Sequence, residues 1–314
     1  MKTLRSSMRR SPKRKNPVDK FCMKNKRAKN IKNFICFAGP ALFFFFAIIG
    51  AAFISGVQLS FTDWNGLADS YHFVGLTNYV NAFKDAEFIT SLLKTFEYVL
   101  FVVVITNIVA FFIAYGLTRG IKAQGIYRVG FFTPNLIGGV VLGLIWKFVF
   151  STALPTIGDL LHIGLLQKNL LSQPKTAFAS LIVVAVWQLA GYLMLMYMAG
   201  IVGLPKDVLE AAKLDGATGW KELRYIILPL IMPSITICGF MSIKSAFMAY
   251  DVNMSLTNGG PFASTKLVAM QVYERAFTSQ QYGVGQAEAL ILFVIVAVIT
   301  LLQVGLSKSK EVEA

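Results

Sequence analysis

Glu210-Ala-Ala-Lys-Leu-Asp-Gly-Ala-Thr-Gly-Trp-Lys-Glu-Leu-Arg-Tyr-Ile-Ile-Leu-Pro-Leu-Ile-Met-Pro233 is a charged, glycine-punctuated stretch wedged between two long apolar runs. Local rules predict two short helices within 203–229. Pro205 suits a first helical position, where its missing N–H costs nothing, and Asp207 complements the positive end of that helix. Asp215-Gly216 ends it, because Gly accepts the left-handed cap that other residues resist. Thr218 is placed to cap a second helix, which Pro229 should break where the chain enters the next apolar run. Four acids and four bases balance across 206–224, so the segment is not a simple lipid-binding patch.

The surrounding sequence makes this a loop of a membrane protein. Hydrophobic residues are 55% of the chain and mean hydropathy is +0.61, which excludes an ordinary soluble domain. A spanning helix needs roughly 20 mostly apolar residues. Six windows qualify: 34–61, 98–118, 129–158 (interrupted by Lys147), 176–202, 229–250 (interrupted by Lys244) and 289–307. None shows the alternating pattern of a membrane β-barrel. The expected fold is all-α and polytopic, with six transmembrane helices.

Charge sets the orientation. Residues 1–33 carry thirteen Lys or Arg against one acid, Asp19. Beside a span, such a tail acts as a cytoplasmic anchor against anionic lipid or, alternatively, as a regulatory contact. With the N-terminus inside, six spans return the C-terminus to the inside. The segments 1–33, 119–128, 203–228 and 308–314 then hold 22 of the 30 basic residues, as the positive-inside rule demands. The 203–229 loop is therefore expected in the cytoplasm. No cleavable signal is expected. Cys22, Cys36 and Cys238 fall in the tail or in spans, so no disulfide framework is implied. The expected organisation is a basic tail (1–33), one six-helix membrane domain (34–307) and a short C-terminal tail (308–314). No loop exceeds about 40 residues, too few for a separate folded core.

The spacing Glu210-Ala211-Ala212, Gly216, Ile226, Leu228, Pro229 resembles the cytoplasmic EAA loop of bacterial ABC-importer permeases. Phe73-Val-Gly-Leu-Thr-Asn-Tyr79, Phe131-Phe132-Thr133-Pro134, Ile145-Trp146-Lys147 and Leu256-Thr-Asn-Gly-Gly-Pro261 extend the resemblance over about 70–305, into the carbohydrate-uptake branch with the maltose and multiple-sugar permeases. It implies a type I importer transmembrane domain in a bacterial inner membrane. It also implies a second homologous permease, two copies of a cytoplasmic ATPase and an extracytoplasmic sugar-binding protein. The coupling residues it implies are Glu210, Ala211, Ala212, Asp215, Gly216, Ala217, Leu228 and Pro229. The small ones would let the helix seat deep in a groove of the ATPase, with Leu209, Leu214, Trp220 and Leu223 as apolar contacts and Glu210 as the polar anchor.

Nothing points to catalysis in this chain. It has no Gly-x4-Gly-Lys-Ser/Thr phosphate loop, so ATP is expected to be used by a partner, with no cofactor or metal bound here. His72 and His162 stand alone and read as surface residues. Polar residues within the spans are candidates for a cargo path: Trp187, Gln188, Tyr192, Ser242, Ser245 and Tyr250, since sugars are held by aromatic faces with hydroxyl and amide partners. Such residues equally serve to pack helices. Lys244 is free to snorkel, to pair with Asp251 or to gate the path. The rival classes are an ion-coupled secondary carrier, which should show intramembrane acids and inverted repeats, and a membrane sensor. Within the importer class, a sugar phosphate is the alternative cargo.

Overall fold

A computed structural model of the chain describes residues 34–309 apart from 69, 165 and 166. The basic tail with Cys22, and residues 310–314 of the C-terminal tail, lie outside the described residues. The chain divides into two units at Gln58/Leu59. In the first, α1 (Phe34–Leu59) is a 26-residue apolar helix, long enough to span a bilayer.

The second unit is also helical. Two outer elements precede its first span: a lone antiparallel bridge between Thr62 and Phe73, and the short helix α2 (Thr77–Lys84). Asn78 of α2 is buried, and its amide donates to the carbonyls of Ser60 (2.9 Å) and Thr62 (2.8 Å). Phe61 packs on both Phe73 and Tyr79. The Phe73–Tyr79 string thus closes the outer corner of the unit upon itself.

α3 (Ala86–Leu117) begins well before the apolar window at 98. Asp85 caps it by accepting from the Glu87 N–H at 2.8 Å, and Glu87 complements the helix dipole. The window 129–158 is not one helix. α4 (Gln124–Phe132) ends in a 3-10 turn, Thr133–Leu136, and α5 (Gly139–Leu161) begins only after it. Pro134 within that turn cannot continue the α-helical hydrogen bonding. α6 (Pro174–Val202) is continuous.

The 203–229 loop forms α7 (Lys206–Leu214) and α8 (Trp220–Leu230). α8 does not break at Pro229. It absorbs that residue after a π-type stretch at Leu223–Ile227, and the 72° bend falls at Ile231, ahead of α9 (Met232–Phe247). Pro233 decides the place: it lacks the N–H that would bond back to Pro229, yet it suits the first turn of a new helix. α10 (Asp251–Leu256), α11 (Val268–Tyr273) and the 27-residue α12 (Tyr282–Lys308) complete the unit. Among the described residues, five helices are long and apolar enough to span, and the bent pair α8–α9 counted as one span makes six.

α3 and α6 run side by side through two buried apolar clusters. The outer one gathers Phe88, Val102, Leu142, Leu181, Phe247 and Leu292, and the inner one Ala114, Leu193, Met194, Leu223, Ile227 and Ile231. Many large apolar side chains, among them Leu100, Val141 and Leu301, face outward, as a lipid-contacting surface requires.

Candidate functional site

The 203–229 loop is held by local chemistry. Pro205 takes extended ψ and caps α7 instead of entering it. At the other end, the Gly216 N–H donates to the Lys213 carbonyl (3.1 Å) and the Ala217 N–H to that of Ala212 (2.9 Å). This is a Schellman cap, and Gly216 supplies its left-handed residue at φ +77°. A Cβ on Gly216 would meet nothing within 4 Å, so conformation and not space demands glycine within this chain. The next N-cap is Gly219, not Thr218: its φ of +60° with ψ −117° is open to glycine, and no side chain caps α8.

Two faces of α7 divide the labour. Ala212 is buried, and Leu209 packs with Leu223, Ile227 and Leu228 in the inner cluster. Glu210, Ala211, Asp215 and Gly216 are exposed, Leu214 is 89% exposed and Trp220 64%. Small size at 212 therefore serves the chain's own packing, whereas Ala211 leaves the outward face shallow. No group among the described residues pairs with the Glu210 carboxylate. Glu222 in α8 pairs with Arg119 (3.5 Å), whose guanidinium lies 4.4 Å from the Tyr115 ring centroid, tying the loop to the end of α3.

Deeper in the unit, a cavity of about 260 Å³ opens between α3, α5, α6, α9 and α10. Its polar lining is Tyr98, Asn135, Gln188, Ser245, Tyr250 and Asp251. Three of the sequence candidates, Gln188, Ser245 and Tyr250, meet there. The other three do not. Trp187 is 42% exposed, stacked edge-on to Trp146 beside an apolar groove with Phe131 and Pro134. Tyr192 packs against the inner cluster. Ser242 is fully buried, where Asn107 Nδ2 donates to its hydroxyl (2.9 Å) while Tyr197 donates to Asn107 Oδ1 (2.8 Å). That triad is helix packing of the kind polar residues supply in membranes. Lys244 is exposed and makes no ion pair among the described residues.

Sequence reasoning missed Tyr98 and Asn135 as lining residues and treated Asp251 only as a partner for Lys244. Asn135 and Asp251 lie at helix breaks, the 3-10 turn before α5 and the start of α10, and only the breaks bring them together. Close approach makes this possible: a Cβ on Gly139 would crowd Asp251 (2.7 Å to its Cβ), and one on Gly143 would crowd the Val252 carbonyl (2.9 Å).

At the outer end, the Leu256–Pro261 string folds back on itself. Asn253 donates to the Thr265 carbonyl (2.7 Å), and Thr265 to that of Gly260 (2.9 Å). Lys266 pairs with Glu87 (3.1 Å) and Glu274, and Arg275 with Asp85 and with the fully buried Glu288 (3.5 Å). Burial works against the Lys266 charge, but Glu274 and Glu87 prevail and hold its pKa above the ordinary lysine value. His72 lies against Asp63 (3.3 Å), whose carboxyl is held below its usual range chiefly by the His72 backbone N–H. His162 contacts the Asp159 carbonyl.

Comparison with known proteins places this arrangement. The family described as binding-protein-dependent transport system inner membrane component matches residues 106–312. The "Probable starch degradation products transport system permease protein AmyD" of Thermoanaerobacterium thermosulfurigenes is 41% identical over 291 residues, covering 92% of this chain and 99% of that one. The multiple sugar-binding transport system permease protein MsmF of Streptococcus mutans is 35% identical, covering 86% and 92%. Among solved structures, a bacterial ABC transporter involved in the import of the acidic polysaccharide alginate superposes with TM-score 0.76 at 18% identity, over 90% of this chain and 99% of that one. That last likeness concerns the fold.

Proposed function

The chain belongs to the binding-protein-dependent transport system inner membrane components, and on that premise we propose that it forms half of the translocation path of an ATP-driven sugar importer. The observation that carries the mechanism is the two-faced α7, rooted in the chain's own core by Leu209 and Ala212 and open to a partner along Glu210, Ala211 and Leu214. A second, homologous permease would supply the other half of the path. A cytoplasmic ATPase dimer would seat one copy on each α7, and an extracytoplasmic binding protein would deliver cargo to the outer face. Both termini lie in the cytoplasm of a bacterial cell in this scheme, consistent with the basic tail and the +14 net charge.

Coupling then follows from packing. ATP-driven closure of the ATPases displaces α7. Because Leu209 shares a cluster with Leu223, Ile227 and Ile231, the bent pair α8–α9 moves with it against α3 and α6. Packed clusters switch between discrete arrangements more readily than they deform, so a push at the base repacks the helices that wall the cavity. ATP-driven closure turns the helices outward to take cargo from the docked binding protein, and each ligand biases one of two states of the whole assembly. This chain supplies lever and channel wall, and ATP chemistry belongs to the partner.

Sugar as cargo rests on the AmyD and MsmF relatives and on the mixture of Tyr98, Asn135, Gln188, Ser245 and Tyr250 around the cavity, an aromatic-plus-amide set suited to hydroxylated rings. The test is uptake of radiolabelled maltotriose by sealed vesicles holding the assembled importer. Uptake should require ATP on the ATPase side and should survive ionophores. Uptake that ran without ATP and ceased with the ion gradient would refute the proposal.

A further inference from the structure

The cavity wall has one feature that neutral sugar recognition does not require. Asp251 stands in it as a carboxylate with no hydrogen bond or ion pair among the described residues, and no Lys, Arg or His lines the cavity with it. Its position is built. It occupies the first turn of α10 and is pressed against Gly139 at the start of α5, where only a residue lacking a Cβ leaves room. Backbone packing between the starts of α5 and α10 therefore fixes the carboxylate in place. Lys244, seven residues earlier in α9, is exposed and is not part of the lining.

We propose that Asp251 is a charge filter: it excludes anionic cargo, such as sugar phosphates and uronates, and leaves neutral sugars as the class this half-channel passes. The inference rests on the cavity being the cargo path. Asp251 is exposed on the cavity wall, so its charge acts through the water of the cavity and reaches about 8–10 Å at ordinary salt. Excluding an anion needs only this potential, whereas a neutral sugar loses nothing by it and gains a hydrogen-bond acceptor. A sugar phosphate would arrive at this wall without a cation to receive it.

The test reads the potential directly. In the assembled importer in detergent, with Cys22→Ser and Cys36→Ser, a reporter thiol is placed in the cavity as Ser245→Cys, and separately as Ala249→Cys. Its modification by a cationic (trimethylammonium-ethyl) and an anionic (sulfonato-ethyl) methanethiosulfonate is timed. Across about 6 Å of water a unit charge changes the local level of a monovalent ion roughly threefold in each direction. The cation-to-anion rate ratio should thus exceed that of a free thiol by about tenfold. Asp251→Asn should bring it within about twofold of the free thiol, and Asp251→Glu should keep it. A ratio that does not respond to Asp251→Asn overturns the filter. Reporter thiols that neither reagent reaches overturn the cavity as a path, a separate failure.

Discussion

The two ends of the molecule handle charge in opposite ways. At the outer end, Lys266 and Arg275 are turned inward onto Glu87, Glu274, Asp85 and Glu288, so that α3, α11 and α12 are braced by ion pairs. At the end that carries α7, that helix is fixed by apolar contacts, with one ion pair, Arg119–Glu222, on the neighbouring α8, while Glu210 and Asp215 face outward unpaired among the described residues. Charges consumed within the chain hold it together, and charges left over are available to another chain. The outer cluster should therefore show itself in stability and the inner loop in partnership.

The largest effect expected is at Arg275. Arg275→Met leaves Glu288 fully buried without its cation, a change that costs about 3–5 kcal/mol. Thermal unfolding in detergent should drop sharply or the folded yield collapse. Glu210→Ala, by contrast, should stay within about 0.5 kcal/mol of the parent while losing the ATPase. Equal stability losses in the two would erase the contrast.

Next is Gly216. Forcing a β-branched residue into the left-handed cap costs about 1–2 kcal/mol, so Gly216→Val should unwind the end of α7 and uncouple uptake from ATP hydrolysis while the protein still inserts. Gly216→Asn separates the two demands on this position, because Asn tolerates that conformation. Coupling retained in Asn would mean that backbone geometry is what matters. Coupling lost in both would mean that the partner's groove admits no side chain there.

These residues also show how far the sequence could be read. Asp215 and Gly216 were legible because caps obey local rules, whereas Pro205 lies one position outside the helix that local rules have it open; the six apolar windows were legible because bilayer thickness sets their length. Pro229 misled because the bend depends on a second proline, Pro233, and on a π-type stretch that takes up the first. The roles of Asp85 and Glu87 were not legible: one caps α3 and the other meets Lys266, 179 residues away. Trp187 and Gln188 are neighbours in sequence, but about 100° of helical turn separates a lipid-facing groove from the cavity. Ser242 and Ser245 diverge likewise, one toward Asn107 and the other into the cavity.

Midway between the ends, Tyr197→Phe removes the donor to Asn107 and should cost about 1 kcal/mol, seen as a small fall in unfolding temperature with uptake retained. Loss of uptake at unchanged stability would place this triad in the path instead. The smallest effect is one of pH. Lys266 has a folded pKa above the ordinary lysine value, so its contribution is complete below that value and is lost only as pH rises through the folded one. Unfolding temperature should therefore show no Lys266-dependent change from pH 7 to 9, judged against Lys266→Met. A Lys266-dependent decline within that window would contradict the brace.

The most direct test of α7 as the docking element is affinity purification of the tagged chain from its own membranes in mild detergent. The parent should bring an ATPase and a second permease. The Glu210→Ala, Gly216→Val double variant should keep the permease and lose the ATPase. An ATPase retained undiminished by the double variant, or a parent that purifies alone, would contradict the account.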